Sequence, residues 1–325
     1  MVTTSRRFKI AMLLDGKGGA RNLTDGEVDA WTETDGVLWV DVNQNDPLGS
    51  EWLEHQSGLD PNVASILLTG ETRPRSVAEA NSLVVILRGI NMNPGAVPDD
   101  MIAIRMSLQK HRIVTSHRRK ALSLDDLQGE LVAGKGPKTP GEFLVDLTVC
   151  LSERIESAIE NIEQMIDELD TSMSGGNIEE IRAKLGIVRR QAAAIRRHLA
   201  PQREALDRIA RSNAAMLSDD EAFDLREIAD HVIRQVEDLD LVRENALVTQ
   251  EELMNRVALE QNSRMYLLSI VAAVFLPLTF VTGVLGMNVA GLPGTENPKG
   301  FLYSAILMAL CLVGLVSYFR WRKWL

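Results

Sequence analysis

The sequence predicts an α/β domain followed by a long α-helical stalk and two C-terminal transmembrane helices. Three observations carry this fold class. Short β-branched runs separated by polar breaks fill the first 120 residues, apolar stripes at helical spacing follow from residue 142, and two uncharged 19-residue runs lie near the C-terminus. With 325 residues, 45% hydrophobic and 25% charged, the chain has the composition of a folded protein with room for two domains. Its only cysteines are Cys150 and Cys311, which excludes a disulfide-stapled secreted scaffold and fits a reducing compartment.

In the N-terminal part, residues 8–14, 37–42, 83–90, 101–109 and 112–116 read as strands, with short helices at 51–55 and 61–69. The expected sheet is mixed or antiparallel. Gly16-Lys17-Gly18-Gly19 lacks the spacing of a phosphate-binding loop and reads as a turn. Beyond the Gly/Pro-rich stretch 134–140, residues 142–173 place Leu144, Leu147, Leu151, Ile155, Ile159, Ile162, Ile166 and Leu169 on one helical face. Ser174-Gly175-Gly176-Asn177 then reverses the chain into a second helix at 178–199, with Pro201 at a bend or helix start.

The last long segment opens on a capping pattern, Ser218-Asp219-Asp220-Glu221, and contains no proline or glycine before Pro277. One helix is therefore expected from residue 218 through the first span. Its apolar positions Leu225, Ile228, Val232, Leu239, Val242, Ala246, Leu253 and Val257 recur as a bundled stalk requires, and residues 219–264 hold 13 Asp/Glu against 5 Arg. The expected divisions are 1–136 (α/β), 137–217 (hairpin), 218–285 (stalk and first span), 286–300 (outer loop), 301–319 (second span) and 320–325 (tail).

Residues 267–285 and 301–319 are free of formal charge, and each spans about 28 Å as a helix, the thickness of a hydrocarbon core. Arg320, Arg322 and Lys323 beside Trp321 and Trp324 mark a cytoplasmic tail, while the loop 286–300 balances Lys299 against Glu296. Two crossings put the N-terminal part in the cytoplasm as well, and a bacterial inner membrane is the expected setting. Residues 1–266 carry a formal charge of −13, which argues against nucleic acid as a partner and suits cations. No nucleophile–base pair or metalloenzyme motif appears, so no enzymatic activity and no catalytic cofactor are expected.

Two spans per chain cannot enclose a pore, so transport would require several copies around an axis. Polar backbone at membrane depth survives only where it is buried or lines a water-filled path. Gly286-Met287-Asn288 stands at the outer end of the first span, where carbonyl and amide oxygens can hold a partly hydrated cation.

That triplet, after the first of two C-terminal spans, resembles the signature of the CorA superfamily of divalent-cation transporters. Gly291-Leu292-Pro293-Gly294, Gly70-Glu71-Thr72-Arg73-Pro74-Arg75, Leu199-Ala200-Pro201-Gln202-Arg203 and the terminal Lys323-Trp324-Leu325 are similar to the zinc-transporting ZntB branch. The resemblance covers essentially the whole chain and implies a CorA-like homopentameric funnel embedded in membrane lipid, its pore lined by the first span. Gly286, Met287 and Asn288 would then form the outer selectivity ring. Helical steps inward reach Gly283 or Val284, Thr279, Leu276, Ala272, Leu268 or Ser269, Met265 and Asn262. Thr279 and Asn262 would touch a hydrated ion, and Leu276, Leu268 and Met265 would close the path by dewetting. The alternative for the apolar members is plain helix packing.

No Cys/His pair stands at zinc-ligand spacing. His231 and Glu227, four residues apart on the stalk, permit a transient metal contact, against the simpler reading of a surface histidine. The expected cargo is Zn2+, with Mg2+, Co2+ or Ni2+ as alternatives. A rival of another class is a membrane-anchored helical scaffold or sensor that moves no ions.

Overall fold

The computed structural model describes residues 7–70, 72–79, 81–97, 99–173, 175–212, 216–287 and 298–323. The chain divides into two compact units, residues 1–250 and 251–325, with the division inside one long helix.

The first unit is built on a seven-stranded sheet: β1 (Ile10–Leu14), β2 (Ala20–Asn22), β3 (Val37–Asn43), β4 (Arg75–Glu79), β5 (Ser82–Gly89), β6 (Ile102–Gln109) and β7 (Arg112–His117). Its order is β2-β1-β3-β7-β6-β5-β4. The β3–β7 pair is parallel, with Trp39 opposite Ile113 and Asp41 opposite Thr115, and the other pairs are antiparallel. The five strands expected from β-branched runs are present within about two residues. The two not anticipated are the edge strands β2 and β4, too short or too polar to show alternation and held by their ladders. Gly16–Gly19 is a turn in which the Asp15 carboxylate accepts from the Lys17 and Gly19 amides at 2.7 and 2.9 Å, with Gly16 and Gly18 at positive φ.

Helices cover both faces, so every residue of β5 is buried. On one face, Leu38, Val40 and Val42 of β3 pack into a cluster with Val28 of α1 (Asp25–Ala30) and Val63, Ala64 and Leu67 of α3 (Pro61–Leu68). Between these helices lie α2 (Pro47–Glu51) and a π-helical turn, Trp52–Gln56. The helix expected at 51–55 thus starts earlier, because Asp46 caps the Leu48 amide and Pro47 presets the first turn. Trp52 meets Phe8 edge to face at 4.7 Å.

On the other face, Trp39 meets Phe143 of α5 (Pro140–Ser172) at 4.9 Å. Gly89 lets α5 approach closely there: a Cβ would stand 2.5 Å from Leu151 Cδ2 and push that buried side chain aside. α5 buries the apolar stripe read from the sequence, and α4 (Leu122–Val132), which contains Gly129 and was unforeseen, buries Leu124, Leu127 and Leu131. α6 (Ile178–Arg211) opens on Asn177, whose side chain accepts from the Glu179 amide at 3.0 Å. α6 runs through Pro201 without restarting there. Buried His198, Leu199, Gln202, Ala205 and Leu206 flank the proline, and Gln202 Oε1 accepts from the Arg88 backbone N at 2.7 Å. Packing on both sides of the missing amide offsets the helix-breaking tendency.

α7 (Asp219–Leu285) is continuous for 67 residues, as the lack of proline and glycine before Pro277 implies. Ser218 and Glu221 form a reciprocal cap, with the Glu221 amide donating to Ser218 Oγ at 3.2 Å and the Ser218 amide to Glu221 Oε2 at 2.7 Å. In the first unit it buries Leu225, Ile228, Val232, Leu239, Val242 and Ala246. Gln235 Nε2 donates to the Ser152 carbonyl of α5 at 2.9 Å. α8 (Gly300–Trp321) follows in the second unit.

Candidate functional site

Among the described residues two helices are long and apolar enough to cross a membrane: the end of α7 and the whole of α8. In α7 the half-shielded residues are Ile270, Val274, Pro277, Leu278, Val281 and Val284, a single stripe at helical spacing. In α8 they are Ser304, Ala305, Met308, Cys311 and Leu315, ending at buried Phe319. One seam on each span is what two helices lying side by side leave covered. The residues read from the sequence as pore-lining all fall on the other side of α7: Asn262, Met265, Leu268, Ala272, Leu276, Thr279 and Gly283 are each exposed. At 100° per residue this stripe is centred about opposite the shielded seam. Met265, Leu268 and Leu276 are 67%, 73% and 71% exposed, a large apolar surface that the described residues leave open.

Hydroxyls on this span bond to their own helix. Thr279 Oγ1 donates to the Phe275 carbonyl at 2.8 Å, Ser269 Oγ to the Met265 carbonyl at 2.8 Å, and Thr282 Oγ1 to the Thr279 carbonyl at 3.0 Å. With its proton committed, the Thr279 oxygen keeps its lone pairs for an outer ligand. Pro277 has no amide to offer the Ala273 carbonyl, which adds an acceptor at the middle of the span. At the outer end the Gly286 amide donates to the Thr282 carbonyl at 2.9 Å and the Met287 amide to the Val284 carbonyl at 3.4 Å. A Cβ on Gly286 would sit 3.0 Å from that Thr282 oxygen, so glycine suits this tight closing turn. Met287 is 50% exposed. Asn288, Gly291–Gly294, Glu296, Glu71, Trp324 and Leu325 lie outside the described residues. At the inner end of α8 the rings of Tyr318, Phe319 and Trp321 stand 6.0–6.4 Å apart beside Arg320, an interfacial aromatic and basic girdle.

The stalk histidine has partners other than the one expected. His231 Nδ1 lies 3.1 Å from Ser152 Oγ and Nε2 3.5 Å from Glu156 Oε1, both on α5, while Glu227 is exposed. Among the described residues no group of three His, Cys, Asp or Glu is placed to hold a metal ion. Carboxylates do converge between α5 and α7. Burial, then Glu130, Glu142 and Asp224, push Asp146 up to about 6; burial, then Asp238, Asp167 and Glu160, raise Glu163. Because the folded pKa of Asp146 exceeds its unfolded 3.8, its favourable contribution is complete below about 4 and is lost as pH rises through about 6. Asp146→Asn is therefore expected to stabilise the protein at pH 7.5 by about 1–2 kcal/mol after allowance for solvent screening. The gain should shrink towards zero at pH 4, read from urea unfolding at the two pH values.

Sequence reasoning did not find the α5 partners of His231 or the like-charge field of Asp224 on Asp146. Both depend on which helices become neighbours, and no local pattern states that.

An N-terminal α/β domain on the cytoplasmic side, its last helix running into the first of two C-terminal candidate spans, is the architecture of an inner-membrane protein, and its relatives place the chain in the divalent-cation transporter class. A family model described as "CorA-like Mg2+ transporter protein" matches residues 34–323, and the chain belongs to that family. It is 35% identical over 314 residues to the divalent cation transporter CmaX of Pseudomonas aeruginosa, covering 95% of this chain and 92% of that one. It is 32% identical over 316 residues to the zinc transport protein ZntB of Yersinia pseudotuberculosis, covering 97% and 95%. Among solved structures, full-length CmaX superposes with a TM-score of 0.84 at 33% identity over 99% of this chain and 100% of the other. The CorA magnesium transporter of Methanocaldococcus jannaschii gives 0.84 at 19% identity with full coverage of both, a likeness of fold.

Proposed function

We propose that this chain carries zinc across the membrane as a homopentamer, with Gly286, Met287 and Asn288 forming the outer ring and the α7 stripe lining the path. The observation that carries the reading is that stripe: Asn262 to Gly283, uncovered by the chain's own second span, and ending at the Gly-Met-Asn triplet. Lipid alone would satisfy the apolar members of this stripe, but Asn262, Thr279 and the Ala273 carbonyl near Pro277 call for protein or water at membrane depth, and copies around an axis supply both. Ions enter partly hydrated, pass Thr279 and Asn262, and are held back by Leu276, Leu268 and Met265 when the path narrows. The acidic α5 and α7 surfaces raise the local cation concentration at the cytoplasmic side. The lack of a three-ligand cage among the described residues suits transit, since a tightly held ion leaves slowly.

The relatives named ZntB favour zinc. Magnesium, cobalt or nickel is the second reading, favoured by the family description and the broader name of CmaX. The test is metal flux into liposomes containing the purified protein, with zinc and magnesium compared under imposed pH gradients. Zinc flux above that of an empty vesicle is the expected result; magnesium flux without zinc flux would overturn the choice of ion.

A further inference from the structure

The long helices of the first unit divide charge between them. α5 carries nine Asp/Glu against Arg154 alone, whereas α6 carries nine Arg/Lys against four Asp/Glu. The two pack along each other, and both also touch α7. Gln235 and His231 of α7 meet Ser152 of α5, while Asp240 and Gln250 of α7 meet Arg196 and Arg189 of α6, each at 2.7 Å. Three helices packed mutually turn their outer faces away from one another, so the outer sides of α5 and α6 look in different directions.

On the outer side of α5, Glu153, Glu160 and Asp167 are exposed and follow one another every seven residues, opposite the buried stripe that includes Ile155, Ile162 and Ile166. On the outer side of α6, Arg190 and Arg197 are exposed and likewise seven apart, opposite buried Leu185, Val188 and Ile195. Among the described residues none of these five charges enters an ion pair; Arg197 Nη2 lies 3.5 Å from the His198 ring, and Arg190 reaches back over Gly186. Gly186, Ala193 and Ala200 stand between the arginines on that side, so another helix could come close to the α6 backbone.

We propose that the basic outer face of α6 in one copy docks on the acidic outer face of α5 in a second copy of this chain. Charge and spacing select that occupant: a step of seven residues is about 10.5 Å along either helix, so two guanidinium groups meet two carboxylates in one register. The two faces are different surfaces of one chain and look in different directions, which makes the contact heterologous. Each copy gives α6 to one neighbour and α5 to the other, and such contacts close into a ring when the rotation allows. The proposal rests on the homopentamer reading and names the cytoplasmic contact between its copies.

The test is mild oxidative cross-linking of the full-length protein in detergent. Ala193 lies between the two arginines, Ser157 between Glu153 and Glu160, and Gln164 between Glu160 and Asp167; all three are exposed, so cysteine there leaves the core intact. Ala193→Cys combined with Ser157→Cys or with Gln164→Cys is expected to give a ladder from dimer upwards on a non-reducing gel, while each single variant runs as wild type. In the Ser157 pair, Arg190→Glu with Arg197→Glu should cut the ladder about tenfold or more, and Glu153→Arg with Glu160→Arg should restore it. Dimer from Ala193→Cys alone would mean that α6 meets α6 and overturns the proposal, as does cross-linking unchanged by the arginine reversals. No ladder from either pair in a protein that light scattering shows to be oligomeric overturns the contact and leaves the homopentamer reading standing. A monomeric wild type overturns both.

Discussion

Replacing Asn288 with alanine is expected to lower zinc flux by about a hundredfold or more, measured in liposomes at matched protein density. The size of the effect comes from repetition. If five chains each present one amide oxygen to the entering ion, and each contact contributes about 0.5–1 kcal/mol, their joint loss raises the entry barrier by about 2.5–5 kcal/mol. Asn288→Asp keeps an oxygen at the same reach and adds charge, so it should retain capture but slow release. Thr279→Val, by contrast, removes one hydroxyl that already donates to Phe275 and should reduce flux only severalfold. Wild-type flux in Asn288→Ala would remove the triplet from the path and leave the α7 stripe as a packing face.

Asp41→Ala is expected to destabilise the α/β domain by about 3–5 kcal/mol, read as a lowered urea midpoint by tryptophan fluorescence of the full-length protein in detergent. The parallel register of β3 and β7 sets four side chains in a row. Trp39 Nε1 donates to Thr115 Oγ1 at 3.1 Å, Thr115 Oγ1 donates to Asp41 Oδ1 at 2.7 Å, and His117 Nε2 lies 2.8 Å from Asp41 Oδ2. Asp41 and His117 are almost wholly buried. Alanine leaves the His117 ring in a dry interior without the carboxylate, and the Thr115 hydroxyl with only the longer contact to the Val40 carbonyl at 3.5 Å. Asp41→Asn preserves an acceptor for Thr115 and should cost less than half as much. A loss below about 1 kcal/mol in the alanine variant would show that the row contributes little.

What could be read from the sequence was what lies in one stretch of chain. The α5 stripe from Leu144 to Leu169, the uninterrupted α7 and the two spans are periodicities or absences of breakers, visible without tertiary information. Strands β1, β3 and β5–β7 carry β-branched runs, whereas β4 (Arg75–Glu79) buries only Ser76 and is a strand because β5 offers it a ladder. Pro201 misled because local propensity was outweighed by packing around Gln202. The residues of the α7 stripe follow one another at helical steps and could be listed in advance, whereas Asp41 and His117 are brought together only by strand register, which no single stretch encodes.

The one parallel pair in the sheet also bears on how the chain is made. Strand β3 ends at Asn43, and its parallel partner β7 is not complete until His117, so the β2-β1-β3 half waits for the ribosome to deliver the intervening segment. Once His117 has emerged, the first apolar run, starting at residue 267, lies 150 residues further on. At about 5–20 residues per second that is an interval of roughly 8–30 s. The sheet can therefore close before any hydrophobic span leaves the ribosome, so the strand core is in place when the membrane machinery receives its signal, while the helices that cover it are still being delivered.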